Sequence, residues 1–94
     1  MRKYELALVF KPLDDEAYKE ELEKVQALLT RFGASVDKVD EWGKRRLAYE
    51  IQKINEGIYC FITFLAEAEV PVEIESRLRI AENVLRYLII RADY

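Results

Sequence analysis

The feature that most restricts this chain is its hydrophobic period, which switches between two residues and about 3.6, twice over, within 94 residues. Residues 3–10 place Tyr4, Leu6, Leu8 and Phe10 on one face and Glu5, Ala7 and Val9 on the other. That alternation is a strand with one strongly apolar side. Lys11-Pro12 ends it, because proline has no N–H to give to a ladder. Asp14 or Asp15 then caps a helix whose apolar stripe is Tyr18, Leu22, Val25, Leu28, Leu29 and Phe32. Gly33 stands where a left-handed cap is expected.

Residues 35–53 read as a long extended segment through Val36, Val39, Leu47, Tyr49 and Ile51, with a bulge or bend expected at Gly43. Asn55-Glu56-Gly57 is expected to turn the chain. Residues 58–65 are apolar on both faces, as suits a central strand, so the pattern leaves open which face meets the helices. Val70-Pro71 opens a short second helix carrying Val70, Ile74 and Leu78. Asn83 gives a turn, and residues 84–91 form the last strand.

The order β-α-β-β-α-β predicts an α+β fold, a ferredoxin-like βαββαβ sandwich. It has a four-stranded antiparallel sheet with both helices on one face. Right-handed crossovers give the strand order 4-1-3-2, with the second and fourth strands at the edges and one sheet face left open. Residues 1–94 are expected to make a single domain, since the chain is no longer than one ordinary domain. With 51% hydrophobic and 35% charged residues it is able to bury a core and keep a polar surface, which argues against disorder.

Composition excludes much chemistry. Histidine is absent and Cys60 is the lone cysteine, so no intramolecular disulfide, zinc cluster or Cys-His pair is available. The glycines are isolated, so there is no glycine-rich phosphate loop. The run Asp14-Asp15-Glu16 reads as a capped, solvated helix start and not as a metal site. No enzyme activity, cofactor or metal is expected. No apolar stretch approaches a membrane span and the first residues do not resemble a signal peptide, so no membrane partner and a cytoplasmic location are expected.

The net charge is −3, but most of the excess acid lies in residues 13–24 and the remainder is close to neutral with basic clusters. Arg2 and Lys3 open the first strand, Lys44-Arg45-Arg46 follows Gly43, Arg77 and Arg79 belong to the second helix, and Arg86 and Arg91 to the last strand. Such groups either guard sheet edges or contact phosphates. Guanidinium predominates, and its planar fork suits phosphate. Tyr59 and Phe61 share one face of the third strand, but residues 57–65 lack the basic-glycine-aromatic signature of a base-stacking platform. Core packing or cover by a protein partner is the preferred reading.

Three segments carry a resemblance to a known family. They are Met1-Arg2-Lys3-Tyr4-Glu5, Trp42-Gly43-Lys44-Arg45-Arg46-Leu47-Ala48-Tyr49-Glu50-Ile51 and Asn83-Val84-Leu85-Arg86-Tyr87. In order and spacing they resemble the bacterial small-subunit ribosomal protein six family, and the middle segment is the most distinctive. The resemblance implies a structural constituent of the small ribosomal subunit in the cytoplasm; the free chain is expected to be monomeric. The resemblance also implies binding to the central domain of small-subunit ribosomal RNA together with small-subunit ribosomal protein eighteen. Carried over by position, the RNA-binding candidates are Arg2, Lys44, Arg45, Arg46, Arg79, Arg86 and Arg91. Many members have proline where this chain has Glu50, and many carry a charged C-terminal tail where this sequence reaches Tyr94.

Two other classes use this topology. A metabolite-binding regulatory module is the principal alternative, though nothing in the glycine pattern favours it. A phosphate-hydrolysing enzyme needs an anion-cradling loop after the first strand, and Lys11-Pro12-Leu13-Asp14-Asp15 is acidic and free of glycine.

Overall fold

The computed structural model describes residues 1–92; the chain end at Tyr94 lies outside the described residues. The elements are β1 (Arg2–Phe10), α1 (Asp15–Arg31), β2 (Ser35–Ile51), β3 (Ile54–Ala66), α2 (Val70–Leu78) and β4 (Val84–Arg91). The strands form one antiparallel sheet in the order β2-β3-β1-β4, as the topology rules require.

Both helices pack on one side of this sheet. Leu6, Leu8 and Phe10 of β1 meet Ile58, Cys60, Ile62 and Phe64 of β3 on that side. Leu22, Val25 and Leu29 of α1 and Val70, Ile74 and Leu78 of α2 close over them. The ambiguous third strand is thereby resolved: its even-numbered residues face the helices, and Tyr59, Phe61, Thr63 and Leu65 face the other way.

Local signals set the ends of α1. The Asp14 carboxylate accepts from the Ala17 N–H at 2.8 Å. At the other end Gly33 N–H donates to the Thr30 carbonyl and Ala34 N–H to the Leu29 carbonyl. This is the paired bonding of a Schellman cap. Pro71 lies in the first turn of α2, where its missing N–H has no partner to lose.

The β2–β3 hairpin corrects the expected turn. The chain reverses at Gln52 and Lys53, both left-handed with φ of 53° and 65°, and Ile51 pairs with Ile54. That is the geometry of a two-residue hairpin turn, made here without the usual Asn-Gly signal. Glu56 and Gly57 are therefore strand residues, opposite Arg46 and Arg45. Gly57 is required by crowding, not by a turn. A Cβ there would lie 2.5 Å from Val9 Cγ1 and 3.1 Å from the Phe10 carbonyl oxygen. Gly43 does mark a bulge: its φ is +83° and the register shifts between Glu41 and Gly43. Replacing Gly57 with alanine should lower unfolding stability by about 1–3 kcal/mol, as overpacking does, measured by urea titration.

Cys60 is buried in β3, where Tyr18 reaches it from α1 while donating its hydroxyl to Glu41 Oε1 at 2.7 Å. Burial pushes the thiol from its ordinary 9.0 up to about 11, with Glu41 and Asp40 adding to the rise and the Tyr18 hydroxyl opposing it. Native protein thus holds this proton to higher pH than unfolded chain does. Between about pH 9 and 11 the unfolded state binds fewer protons, so stability falls as pH rises through that window. Urea titrations across it should show a shallower fall for Cys60→Ala than for the parent protein. The Cys60 thiol should also resist an aromatic disulfide reagent until the chain unfolds.

Candidate nucleic-acid interface

The side of the sheet without helices is apolar in its middle and cationic at one end. Leu88 and Ile90 of β4 stand 59% and 48% exposed, beside Ala7 and Glu5 of β1, which pair with Phe61 and Thr63 of β3. Trp42, half exposed at the bulge, sits with its ring centroid 4.6 Å from that of Phe61. The indole N–H donates to Asp40 Oδ2 at 3.2 Å, which fixes the ring. The Arg45 guanidinium lies 6.0 Å from the indole centroid, at the limit of a cation–π contact. A shallow cavity of about 200 Å³ lies alongside, lined by residues that include Val9, Tyr59, Phe61, Arg86 and Leu88.

The candidate RNA-contacting residues do not form one cluster. Arg2 opposes Ala66 and Arg91 opposes Tyr4, which puts both at the end of the sheet where β1 begins. Lys44, Arg45 and Arg46 oppose Ile58, Gly57 and Glu56 at the far end, and Arg86 opposes Val9 near it. At a rise of about 3.3 Å per residue, Arg2 lies about 26 Å along the sheet from the row of Ile58 and Lys44, and Arg91 lies about 17 Å from Arg86 on β4. Arg79 follows α2 as its C-cap, in the helical layer. The structure therefore groups Lys44, Arg45 and Arg46 on β2, sets Arg86 about 14 Å across the sheet on the opposite edge strand, and leaves Arg2, Arg91 and Arg79 apart from them.

Of the four cations toward this end, Arg45 and Arg86 stand on the open side, and Lys44 and Arg46 alternate to the other side of the exposed β2 edge. Ion pairs among the described residues join Lys3 to Asp37 and Lys24 to Glu21, and engage neither Arg45 nor Arg46. The exposed acids Asp15, Glu16, Glu20 and Glu23 belong to α1, in the layer behind the sheet. The sheet thus stands between these carboxylates and the open face. Among the described residues, no group of three or more His, Cys, Asp or Glu is placed to hold a metal ion. Among the described residues, no helix is long and apolar enough to cross a membrane.

Two participants escaped the charge-based reading. Trp42 packs against Phe61 in a tilted ring pair, and Tyr49 accepts a hydrogen bond from Arg86 Nη1 at 3.1 Å. The aromatic interleaving of Lys44-Arg45-Arg46 by Trp42 and Tyr49 was the available signal.

Comparison with known proteins adds the family. The family model described as Ribosomal protein S6 matches residues 3–91. The small ribosomal subunit protein bS6 of Clostridium botulinum (strain 657 / Type Ba4) is 45% identical over 94 residues, covering 99% of this chain and all of the relative. That of Clostridium acetobutylicum is 44% identical, covering 99% of each. The crystal structure of 30S ribosomal protein S6 from Thermotoga maritima superposes with a TM-score of 0.91 at 30% identity, covering 97% of this chain and 87% of the other. With its full length matched in sequence and its sheet order and helices matched in space, the chain belongs to the ribosomal protein S6 family.

Proposed function

We propose that this chain is a structural protein of the small ribosomal subunit, in the cytoplasm. In this reading it binds the central domain of small-subunit ribosomal RNA jointly with small-subunit ribosomal protein eighteen. Residues 1–94 would act as one domain that is monomeric before assembly. Membership of a ribosomal protein family supports the setting, and one structural observation carries the mechanism. Cations from both sheet edges, Arg45 and Arg86, border an open face whose middle, at Phe61, Ala7 and Leu88, is apolar.

The two parts of that face suit two kinds of partner. Guanidinium groups at the rim meet phosphate oxygens and set the position of the protein on a folded RNA without reading its bases. Lys44 and Arg46 add charge along the same edge, and Arg2, Arg79 and Arg91 are assigned peripheral backbone contacts. The apolar middle, with Leu88, Ile90 and Phe61, suits a protein surface, which gains by removing hydrocarbon from water. Division of labour follows: neither partner alone covers both parts, so tight binding needs the ternary complex.

Affinity for a central-domain RNA fragment, measured with the protein partner present, should fall linearly in log–log form as salt rises. Replacing both Arg45 and Arg46 with alanine should make that slope shallower by about 2, because each guanidinium on a phosphate displaces about one counterion. The same replacement should leave folding stability within about 0.5 kcal/mol. A salt-independent affinity, or an unchanged slope in the double variant, contradicts the reading. Leu88→Asp should weaken binding of the protein partner about tenfold or more in calorimetry while leaving the weak RNA binding of the free chain within about twofold.

A further inference from the structure

Arg86, Val9, Tyr59 and Gly43 form one row across the sheet, from the β4 edge to the β2 edge. Tyr49 lies six residues beyond Gly43 on β2. A straight, flat strand would carry it about 20 Å past that row, and the intervening strand spacings add about 14 Å across the sheet. Yet the Tyr49 hydroxyl sits 3.1 Å from Arg86 Nη1, and the Arg86 guanidinium lies 5.8 Å from the Tyr49 ring centroid. The end of the β2–β3 hairpin must therefore arch back over the open face.

Three features permit the arch. The bulge at Gly43 and the register break between Arg46 and Ile51 bend β2. Leu47, the one buried residue in that stretch, is tucked inside the bend, where its Cδ2 would lie 3.5 Å from a Cβ on Gly57. Gly57 has no side chain to hold the arm off Val9.

We propose that Tyr49 is a positioning residue: it clasps Arg86 from the opposite edge strand and presents that guanidinium to RNA phosphate at the open face. This role rests on the RNA-binding function proposed for the face. The hydrogen bond uses one of five guanidinium donors and leaves the rest for phosphate. Holding an otherwise mobile arginine in place lowers the ordering cost at binding. Tyr49 itself is 61% exposed, so the clasp stands at the surface where RNA would arrive and is not a piece of buried core.

The test pairs a binding measurement with one on the free protein. With the protein partner present, Tyr49→Ala should weaken binding of a central-domain RNA fragment about tenfold, the scale of one hydrogen bond to a charged group, with its salt slope unchanged. Arg86→Ala should lower the slope by about 1, because one phosphate is no longer neutralised. Tyr49→Phe, which keeps the ring over the guanidinium, should fall between parent and Tyr49→Ala. The Tyr49→Ala/Arg86→Ala double variant should bind no worse than Arg86→Ala alone, since both act through one group. In the free protein, nitrogen relaxation of Arg86 Nε should report a restricted side chain that becomes mobile in Tyr49→Ala.

Parent-like RNA affinity in Tyr49→Ala, or losses that multiply in the double variant, would overturn the positioning role. So would an Arg86 side chain equally mobile in parent and variant. Failure of the parent protein and its partner to bind the RNA at all would instead overturn the functional reading, and the role assigned to Tyr49 with it.

Discussion

Leu6, Leu8 and Phe10 of β1 have no exposed surface, and the same strand pairs with β3 on one edge and β4 on the other. Burial of each contributes on the order of 1.5–3 kcal/mol. The contribution is tied to register: sliding β1 by one residue would turn these side chains to the open side and bring Glu5, Ala7 and Val9 under the helices. The open face inherits its order from this. Val9 stands between Tyr59 and Arg86, and Ala7 between Phe61 and Leu88, because the hidden side of the same strand can be satisfied in only one way.

That pairing also explains how an acidic protein comes to present a cationic end. The helices lie on the buried side of the sheet, so the carboxylates of α1 project from the layer away from the open face. Basic residues sit at a strand edge and at the tip of a hairpin, where a long charged side chain keeps its solvation. Local charge, and not the sum over the chain, is what an incoming polyanion meets.

The arch of the β2–β3 hairpin joins packing to the site. Val9 is fixed by the central pairing, and Gly57 passes so close to it that even a methyl group would collide. The approach brings Leu47 into the bend and places Tyr49 over Arg86. A residue without a side chain thus sets the position of a side chain eight places earlier, through the path of the backbone between them.

Much was legible beforehand because its signals are local. Element order follows from periodicity, the start of α1 from the Asp14-Asp15 pair, its end from Gly33, and the break in β2 from Gly43. The hairpin turn was not legible, because Gln52 and Lys53 adopt left-handed backbone without the residues that usually announce it. Nor was the facing of β3, since hydrocarbon on both sides of a strand carries no direction.

By itself, then, the order of apolar and polar residues determined the strands, the helices and the antiparallel sheet they make, since periodicity needs only neighbouring residues to be read. Which arginines stand together, which face of β3 is open, and that Tyr49 meets Arg86 were decided only by the tertiary structure. Those relations join strands on opposite edges, and their distances depend on twist, bulge and close backbone approach, none of which has a signature in residue type alone.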